Sequence, residues 1–153
     1  MHNLSKNCKT VRLPLDGTST YTGTAGTSDL TSEGLDTLGY AGVRFLIGFG
    51  AITSGAVTSV KAQQSTDDAA TDAYSDIEGS GITVADDDDN QVAIIDIYHP
   101  QKRYLDVVID RGTQNAVVDF ILAELYLPAD APITQDTTVI SAECHSAPAE
   151  GTA

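Results

Sequence analysis

The chain has 153 residues and a formal net charge of -14, with 22 acidic against 8 basic side chains. That length gives one domain with a real core and leaves little room for a second. The surplus of negative charge opposes phosphate backbones and anionic membrane surfaces, so neither nucleic acid nor a membrane is an expected partner. No stretch reaches the roughly 20 apolar residues of a membrane helix, and the N-terminus lacks the apolar region of a signal peptide.

The first part of the chain differs in charge from the rest. Residues 1–15 carry Lys6, Lys9 and Arg12 and no acidic side chain. We expect an N-terminal arm there, with a possible edge strand over residues 10–15. Residues 16–36 are rich in Thr, Ser and Gly, which predicts turns with short edge strands between them.

Strand-like segments then follow one another to residue 127. Residues 92–98 are almost continuously apolar, which predicts a strand covered on both faces. Residues 116–127 contain helix-favouring Ala, Leu and Glu, but their β-branched and aromatic residues favour a strand. Residues 67–76 are compatible with one helical turn or with a loop. The predicted strands are residues 43–49, 57–63, 82–84, 92–98, 104–109 and 116–127.

Two polar breaks separate the last three strands. Pro100 cannot donate a ladder hydrogen bond and favours extended backbone at His99, which predicts a tight strand connection. Gly112 and Asn115 predict a hairpin at the second break, residues 110–115. Short strands with frequent turns predict an all-β fold, a jelly-roll-like antiparallel β-sandwich over residues 16–141, and a flexible tail at 142–153.

The acidic run of residues 86–89 has some features of a calcium loop. Asp86, Asp88 and Asn90 have the first, third and fifth spacing of an EF-hand. Gln91 stands where that loop needs glycine, and Ile97 stands where it needs a bidentate glutamate. The run therefore predicts a solvated turn, with a calcium site of another kind as the alternative; no metal site or cofactor is expected.

Carboxylates that punctuate the strands raise the question of catalysis, since paired acids hydrolyse glycosides. The chain has no Trp and only 6% aromatic residues, which is poor for a sugar-stacking groove. We therefore predict that the protein is not an enzyme and that Asp96 or Asp110 pairs with Arg103 or Arg111, within or between subunits. The carboxylates in question are those of Asp96, Asp106, Asp110 and Asp119.

Cys8 and Cys144 lie near opposite ends of the sequence. They can form a disulfide only if the fold brings the two ends together. The sequence favours two free thiols, with the disulfide as the alternative.

The strongest strands and their breaks also carry a resemblance to a known family. The motifs are an aliphatic-Asp-aliphatic-Tyr at residues 95–98, a Pro-x-Lys-Arg-Tyr at 100–104 and an Asp-Arg-Gly-Thr at 110–113. With further similarity at residues 39–45, 50–52 and 60–65, the chain resembles the cement or decoration proteins of tailed bacteriophage heads. The resemblance covers residues 35–135, and the longer N-terminal segment and the run at 86–89 depart from the family pattern.

This resemblance implies a virion protein that binds the outer face of an assembled icosahedral capsid after synthesis in the host cytoplasm. There it would bridge neighbouring major capsid proteins and stabilise the DNA-filled head, because binding to the assembled form alone adds to that form's stability. The alternative is a ligand-binding β-sandwich, such as a carbohydrate-binding or host-attachment head protein.

A partner surface is predicted as well. Besides the major capsid protein, we expect self-association, with a dimer favoured and a trimer as the alternative. Aromatic and arginine side chains dominate interfaces, and the basic N-terminal segment is suited to an acidic partner surface. The predicted interface residues are Lys6, Lys9, Arg12, Tyr98, Lys102, Arg103, Tyr104 and Arg111.

Overall fold

Two antiparallel β-sheets pack face to face in a computed structural model of the chain, which confirms the predicted all-β sandwich. The structure describes residues 3–17, 19–21, 23–145 and 149–151. The elements are α1 (Leu4–Asn7), β1 (Cys8–Leu13), β2 (Thr24–Gly26), β3 (Leu30–Thr31), β4 (Leu35–Asp36), β5 (Tyr40–Ile52), β6 (Thr58–Ser65), β7 (Ser75–Asp76), β8 (Ile82–Val84), β9 (Val92–Tyr98), β10 (Tyr104–Arg111) and β11 (Ala116–Pro128).

The first sheet has the strand order β1-β11-β5-β9, with β2 also paired to β11. The second sheet has the order β3-β10-β6-β7, with β4 on β10 and β8 on β6. Residues 116–127 are confirmed as a strand, because β11 pairs with β1 on one side and with β5 on the other. Residues 67–76 form turns that end in the short strand β7.

The core lies between the facing sides of the two sheets. Alternate residues of the long strands point inward, as the period of two in a β-strand requires. Phe45 and Ile47 of β5 are fully buried, and so are Leu105 and Val107 of β10 and Ile121 of β11. These strands are long and apolar on one side because each supplies a full row of the core.

Strand β9 was wrongly predicted to be covered on both faces. It lies at the edge of the first sheet, and Ile95 is its only buried residue. Val92 and Ile94 point to the outer face and keep 48% and 49% of their surface exposed. The nearly continuous apolar run therefore reflects an apolar outer face.

The connections on either side of β10 also differ from the predictions. Because β10 belongs to the second sheet and β9 and β11 to the first, both connections cross the sandwich, and residues 110–115 form no hairpin. His99 is not extended, since its φ is +52°, and its N–H donates to the carbonyl oxygen of Ala41. The sharp change of sheet after β9 outweighs the preference that Pro100 imposes on its predecessor.

The edge of the first sheet at β1 is covered by side chains from the C-terminal segment. Along β1, the N–H of Thr10 donates to Gln135 Oε1 and that of Arg12 donates to Thr138 Oγ1, both at 2.9 Å. Gln135 Nε2 donates in turn to the carbonyl oxygen of Cys8. Side chains of residues 135–138 thus cover this edge, which is one way in which proteins prevent unwanted strand pairing.

The predicted tail at 142–153 lies partly outside the described residues. Its described parts, residues 142–145 and 149–151, contain no helix or strand. Within the same described ranges of the chain, no helix is long and apolar enough to cross a membrane.

Candidate binding surface

The outer face of the first sheet is the candidate binding surface. The inward residues Val43, Phe45 and Ile47 alternate with residues that point outward, and the strand register aligns the outward residues in rows. One row joins Glu124, Arg44 and Asp96, and the next joins Leu122, Leu46 and Ile94. The face therefore has a polar part and an apolar part side by side.

Over the polar row lies a groove of about 560 Å³ between α1 and the sheet, which apolar side chains of α1 and β11 also line. Tyr126 donates its hydroxyl to Asp96 Oδ1 at 2.7 Å, and Arg44 Nε lies 3.2 Å from Glu124 Oε2. Burial and the neighbouring carboxylate of Asp96 raise the pKa of Tyr126 to about 12. The Tyr126 ring lies across Gly42, where a Cβ atom would clash with it.

The apolar part consists of five side chains that lie outside the core of the sandwich. The Phe120 ring lies across Gly48 as Tyr126 does across Gly42, and Phe120 is half-buried. Contiguous apolar patches on protein surfaces are common at binding sites when they are large, which makes this part of the face a candidate. The patch, called here the apolar strip, is formed by Val92, Ile94, Leu46, Leu122 and Phe120.

Tyr98 is one of the predicted interface residues in the rows of this face, and Arg12, in the row of Leu122, is another. The Tyr98 side chain is 62% exposed, and it occupies the same row as Gly42 and Tyr126. The edge of its ring contacts His99, with 4.0 Å between the ring centroids. Tyr98 therefore extends the groove toward the open edge of the sheet.

Lys102, Arg103 and Tyr104 lie together at the connection between β9 and β10. Arg103 forms a two-pronged ion pair with Asp36, with Nε and Nη2 at 2.8 and 2.6 Å from its oxygens. That contact lowers the pKa of Asp36. The guanidinium also stands 5.0 Å from the centre of the Tyr104 ring. The charge of Arg103 therefore already has partners within the chain.

The paired partners differ from those predicted from the sequence. Lys102 Nζ lies 2.7 Å from Asp72 Oδ2, which, with the bonds from Thr66, lowers the pKa of Asp72 to about 2. Within the chain, Asp96 accepts from Tyr126, and Asp110 accepts from Ser59 at 3.2 Å, while Arg103 binds Asp36. Asp36 and Asp72, which no strand pattern singled out, are therefore among the carboxylates that pair with basic side chains of distant segments.

Arg111 does not match its predicted place at an interface. It is only 5% exposed, its Nε donates to the carbonyl oxygen of Ser28, and its Nη1 donates to that of Ala116. The guanidinium packs against Gly26, where a Cβ atom would lie 3.2 Å from Nη2. Arg111 joins β10 to the segment before β3 and to the start of β11, which is a structural role.

The basic residues of the N-terminal segment lie along β1 or just before it. Lys6 belongs to α1, and Lys9 Nζ lies 3.4 Å from Asp136 Oδ2. Arg12 donates to the carbonyl oxygen of Tyr21, and its guanidinium stands 5.5 Å from the centre of the Tyr21 ring. The segment is thus part of the sheet, and its charges are spread along one edge.

The acidic run accepts hydrogen bonds from the connection between β5 and β6. Asp86 accepts from the N–H of Gly55 at 2.6 Å, and this bond lowers its pKa. Asp89 accepts from the N–H of Ile52, and Asp88 accepts from the N–H of Ala85. Among the described residues, no group of three or more His, Cys, Asp or Glu side chains is arranged to hold a metal ion.

The two cysteines are free, and they differ in exposure. Cys8 is buried, which raises the pKa of its thiol, and Cys144 is exposed. Because the thiolate is the reactive form, we expect Ellman's reagent to modify one thiol of the native protein quickly and the second only after unfolding. The fast phase should disappear in Cys144→Ser and persist in Cys8→Ser; the reverse assignment would contradict the burial of Cys8.

Neither a family model nor a curated protein matches the chain. Among solved structures, the chain is similar to the C-terminal family 22 carbohydrate-binding module of Clostridium thermocellum Xyn10B. The sequence identity is 16% and the TM-score 0.40, over 78% of this chain and 86% of that chain.

Sequence reasoning missed most residues of the candidate surface. Arg44, Glu124 and Tyr126 stand at alternate positions of β5 and β11, where no interface residue was predicted. Polar residues alternating with a buried row indicate an exposed face, but they do not indicate which strands are neighbours. The pairing of β11 with β5 and of β5 with β9 created the groove.

Proposed function

We propose that the protein is a non-enzymatic binding protein, and that it acts as a cement protein on the outside of a bacteriophage capsid. The observation that carries the proposal is the outer face of the first sheet, whose apolar strip and adjoining groove have no partner within the described chain. A cement protein needs a broad contact face of this kind. The motif resemblance at residues 95–113 supports the same role.

The distribution of charge supports this role as well. A net charge of -14 keeps bound copies and whole particles apart in solution. The apolar strip adds no charge of its own to that repulsion, since Val92, Ile94 and Leu46 are uncharged. Burial of these side chains against a capsid would contribute roughly 25 cal/mol for each Å² of apolar surface removed from water. Many copies of modest affinity would then stabilise a shell.

The test uses purified virions and heads assembled without this protein. We expect many copies on the outside of the virion head, detected by quantitative mass spectrometry and immunogold labelling. Added protein should co-sediment with the expanded heads, and Ile94→Asp should lower the occupancy at least about tenfold, because it places a charge in the buried strip. Val57→Asp, at a 67% exposed apolar residue off the sheet face, is the matched control. Absence of the protein from the particle would refute the cement role.

A second candidate function is favoured by the groove itself. Its volume of about 560 Å³ lies within the range of small-ligand sites, and it combines the Tyr126 ring with the charged groups of Arg44, Asp96 and Glu124. An aromatic ring beside polar groups suits a carbohydrate, which stacks on the ring and bonds to the charges. The occupant would then be a small glycan, with no part for the apolar strip.

A glycan microarray followed by calorimetry distinguishes the two functions. For the glycan-binding function, we expect saturable binding of one glycan class that Tyr126→Ala abolishes and Tyr74→Phe, in the loop before β7, leaves unchanged. Ile94→Asp, which lowers head occupancy under the cement proposal, would leave glycan binding intact. No binding on the array together with occupancy on heads would eliminate the glycan-binding function.

A further inference from the structure

We propose that the open edge of β9 is a strand-addition site for an extended, basic segment of a partner polypeptide. The inference rests on the proposed binding role and adds how the partner is held. The segment would lie beside β9 as a further strand of the first sheet, with its alternate side chains packed into the seam of the sandwich. Main-chain hydrogen bonds give such sites affinity, and pockets for alternate side chains give them specificity.

The hydrogen-bond pattern identifies which groups are free. At the two ends of the β5–β9 ladder, the N–H of His99 donates to Ala41 and that of Phe49 donates to the carbonyl oxygen of Gln91. The register between these ends is continuous, so the odd-numbered residues of β9 bond to β5. The N–H and C=O groups of the even-numbered residues therefore point away from the sheet. Those residues are Val92, Ile94, Asp96 and Tyr98.

No described residue accepts or donates a hydrogen bond along this row of backbone groups. The opposite edge, β1, is covered by the side chains of Gln135 and Thr138. An exposed, regular and apolar edge strand is normally avoided, because it invites pairing with another chain. Its presence on only one side of the sheet indicates a site that is occupied in use.

A cleft lies beside the free edge and has room for a strand. It measures about 320 Å³ and runs between residues 94–97 of β9 and the segment 77–82 of the second sheet. Ile77 and Ile82 pack against the core from that segment and line the cleft. An added strand would direct one row of side chains onto these isoleucines and the other row onto the outer face, beside Ile94 and Tyr98. It would close the sandwich on this side.

The charges of the cleft select the occupant. Glu78 and Asp96 line it, and no basic side chain is among its lining residues. A second copy of this chain brings the same charges and a net charge of -14, so it is opposed by repulsion. A segment with apolar residues in one row and Lys or Arg in the other would complement both the isoleucines and the carboxylates.

A synthetic peptide with this pattern, acetyl-Thr-Val-Lys-Val-Lys-Val-Thr-amide, tests the proposal directly. We expect saturable binding to the full chain by calorimetry or fluorescence anisotropy, weakening as salt is raised. The same peptide with N-methyl groups on alternate residues keeps its charge and loses its donors, so it should not bind. Equal binding of both peptides would show attraction by charge alone and overturn strand addition.

Variants of the protein distinguish the contribution of the backbone to peptide binding from that of the side chains. Ile94→Pro removes an outward N–H and no bond to β5, and edge strands tolerate proline at such positions. We expect Ile94→Pro to lower the affinity for the peptide at least about tenfold. Ile94→Ala keeps the N–H and should lower the affinity less than about threefold. Asp96→Lys should weaken it about tenfold, and Glu33→Lys, on the far edge of the second sheet, should not. Thermal unfolding checks that each variant remains folded.

Two further outcomes would overturn the proposal. One is a dimer of the protein alone that Ile94→Pro dissociates, since the edge would then be occupied by a second copy. The other is normal occupancy of phage heads by the protein together with no binding of the peptide, which would leave the cement function standing without strand addition. If the peptide binds and the protein is absent from virions, strand addition stands and the cement role fails.

Discussion

Asp106→Asn should stabilise the protein at pH 8 and change its stability little at pH 4. Asp106 is 3% exposed, and its Oδ1 is buried with no hydrogen-bond partner in the described structure. Burial is the main cause that raises the pKa of this carboxyl to about 7; the charges of Asp68 and Asp76 contribute to the rise, and the attraction of Lys61 opposes it. An uncharged amide of the same shape avoids the cost of the buried charge.

The sign of the pH dependence follows from linkage. The pKa of Asp106 is about 7 in the folded protein and near 3.8 in the unfolded chain, so the folded state holds the proton more tightly. The carboxyl therefore lowers stability as the pH rises from about 4 to 7. A shift of three units corresponds to about 4 kcal/mol at most, and solvent screening reduces the expected gain at pH 8 to about 2–4 kcal/mol.

Urea unfolding of the wild type and Asp106→Asn at both pH values measures this effect. Asp87→Asn removes the same charge from an exposed residue of the acidic run, and we expect it to change the free energy of unfolding by less than about 0.5 kcal/mol. A variant Asp106→Asn that is less stable than the wild type at pH 8 would mean that the carboxylate is stabilised by contacts other than those seen.

Arg111→Ala should destabilise the protein more than alanine at Lys9, Arg44, Lys102 or Arg103, whose ion pairs are more exposed. The substitution leaves the carbonyl oxygens of Ser28 and Ala116 without their donor and removes the packing against Gly26. The carbonyl oxygen of Ala116 is buried, whereas Ser28 is exposed and its carbonyl oxygen can bond to water instead. One unsatisfied buried acceptor costs about 1–3 kcal/mol and the lost packing adds to that cost, so we expect a loss of about 2–4 kcal/mol in the free energy of unfolding. Arg111→Lys should recover only part of it, because an ammonium group cannot reproduce the fork of donors.

Arg103→Ala is the matched control for this prediction. It breaks the ion pair with Asp36, whose two side chains are 44% and 42% exposed. Exposed pairs contribute about 0–1 kcal/mol, so the loss should stay within that range. If Arg111→Ala instead had the same free energy of unfolding as Arg103→Ala and lost only partner binding, Arg111 would act at an interface, as the sequence predicts.

The β-strands could be predicted from local pattern because their signal is local. The runs at residues 43–49, 57–63, 104–109 and 116–127 combine β-branched residues with a period of two, and all four are strands of the sandwich. The conflict at 116–127, where Ala, Leu and Glu favour a helix, was decided by the neighbours, since β11 pairs on both sides. Tertiary pairing outweighs propensity at such positions.

Predictions that depended on which strands are neighbours were less successful. The apolar run of β9 is compatible with a fully buried strand and with an edge strand that has an apolar outer face, and only the sheet order distinguishes them. Gly112 marks a turn in either case, but whether that turn joins paired strands or crosses the sandwich is not encoded in the turn residues. The burial of Arg111 could not be predicted either, because it depends on contacts with Gly26 and Ser28, which are distant in sequence.

The amino-acid sequence by itself determined the all-β class, the positions of the long strands and the strongly acidic charge, because each depends on composition or on spacing within a short window. The tertiary structure decided which faces stay exposed and which charges meet. Asp106 became buried, Arg44 met Glu124, and the groups of β9 were left open at an edge. These features arise from contacts between segments far apart in the chain, and the pairing of sheets fixes them rather than any local preference.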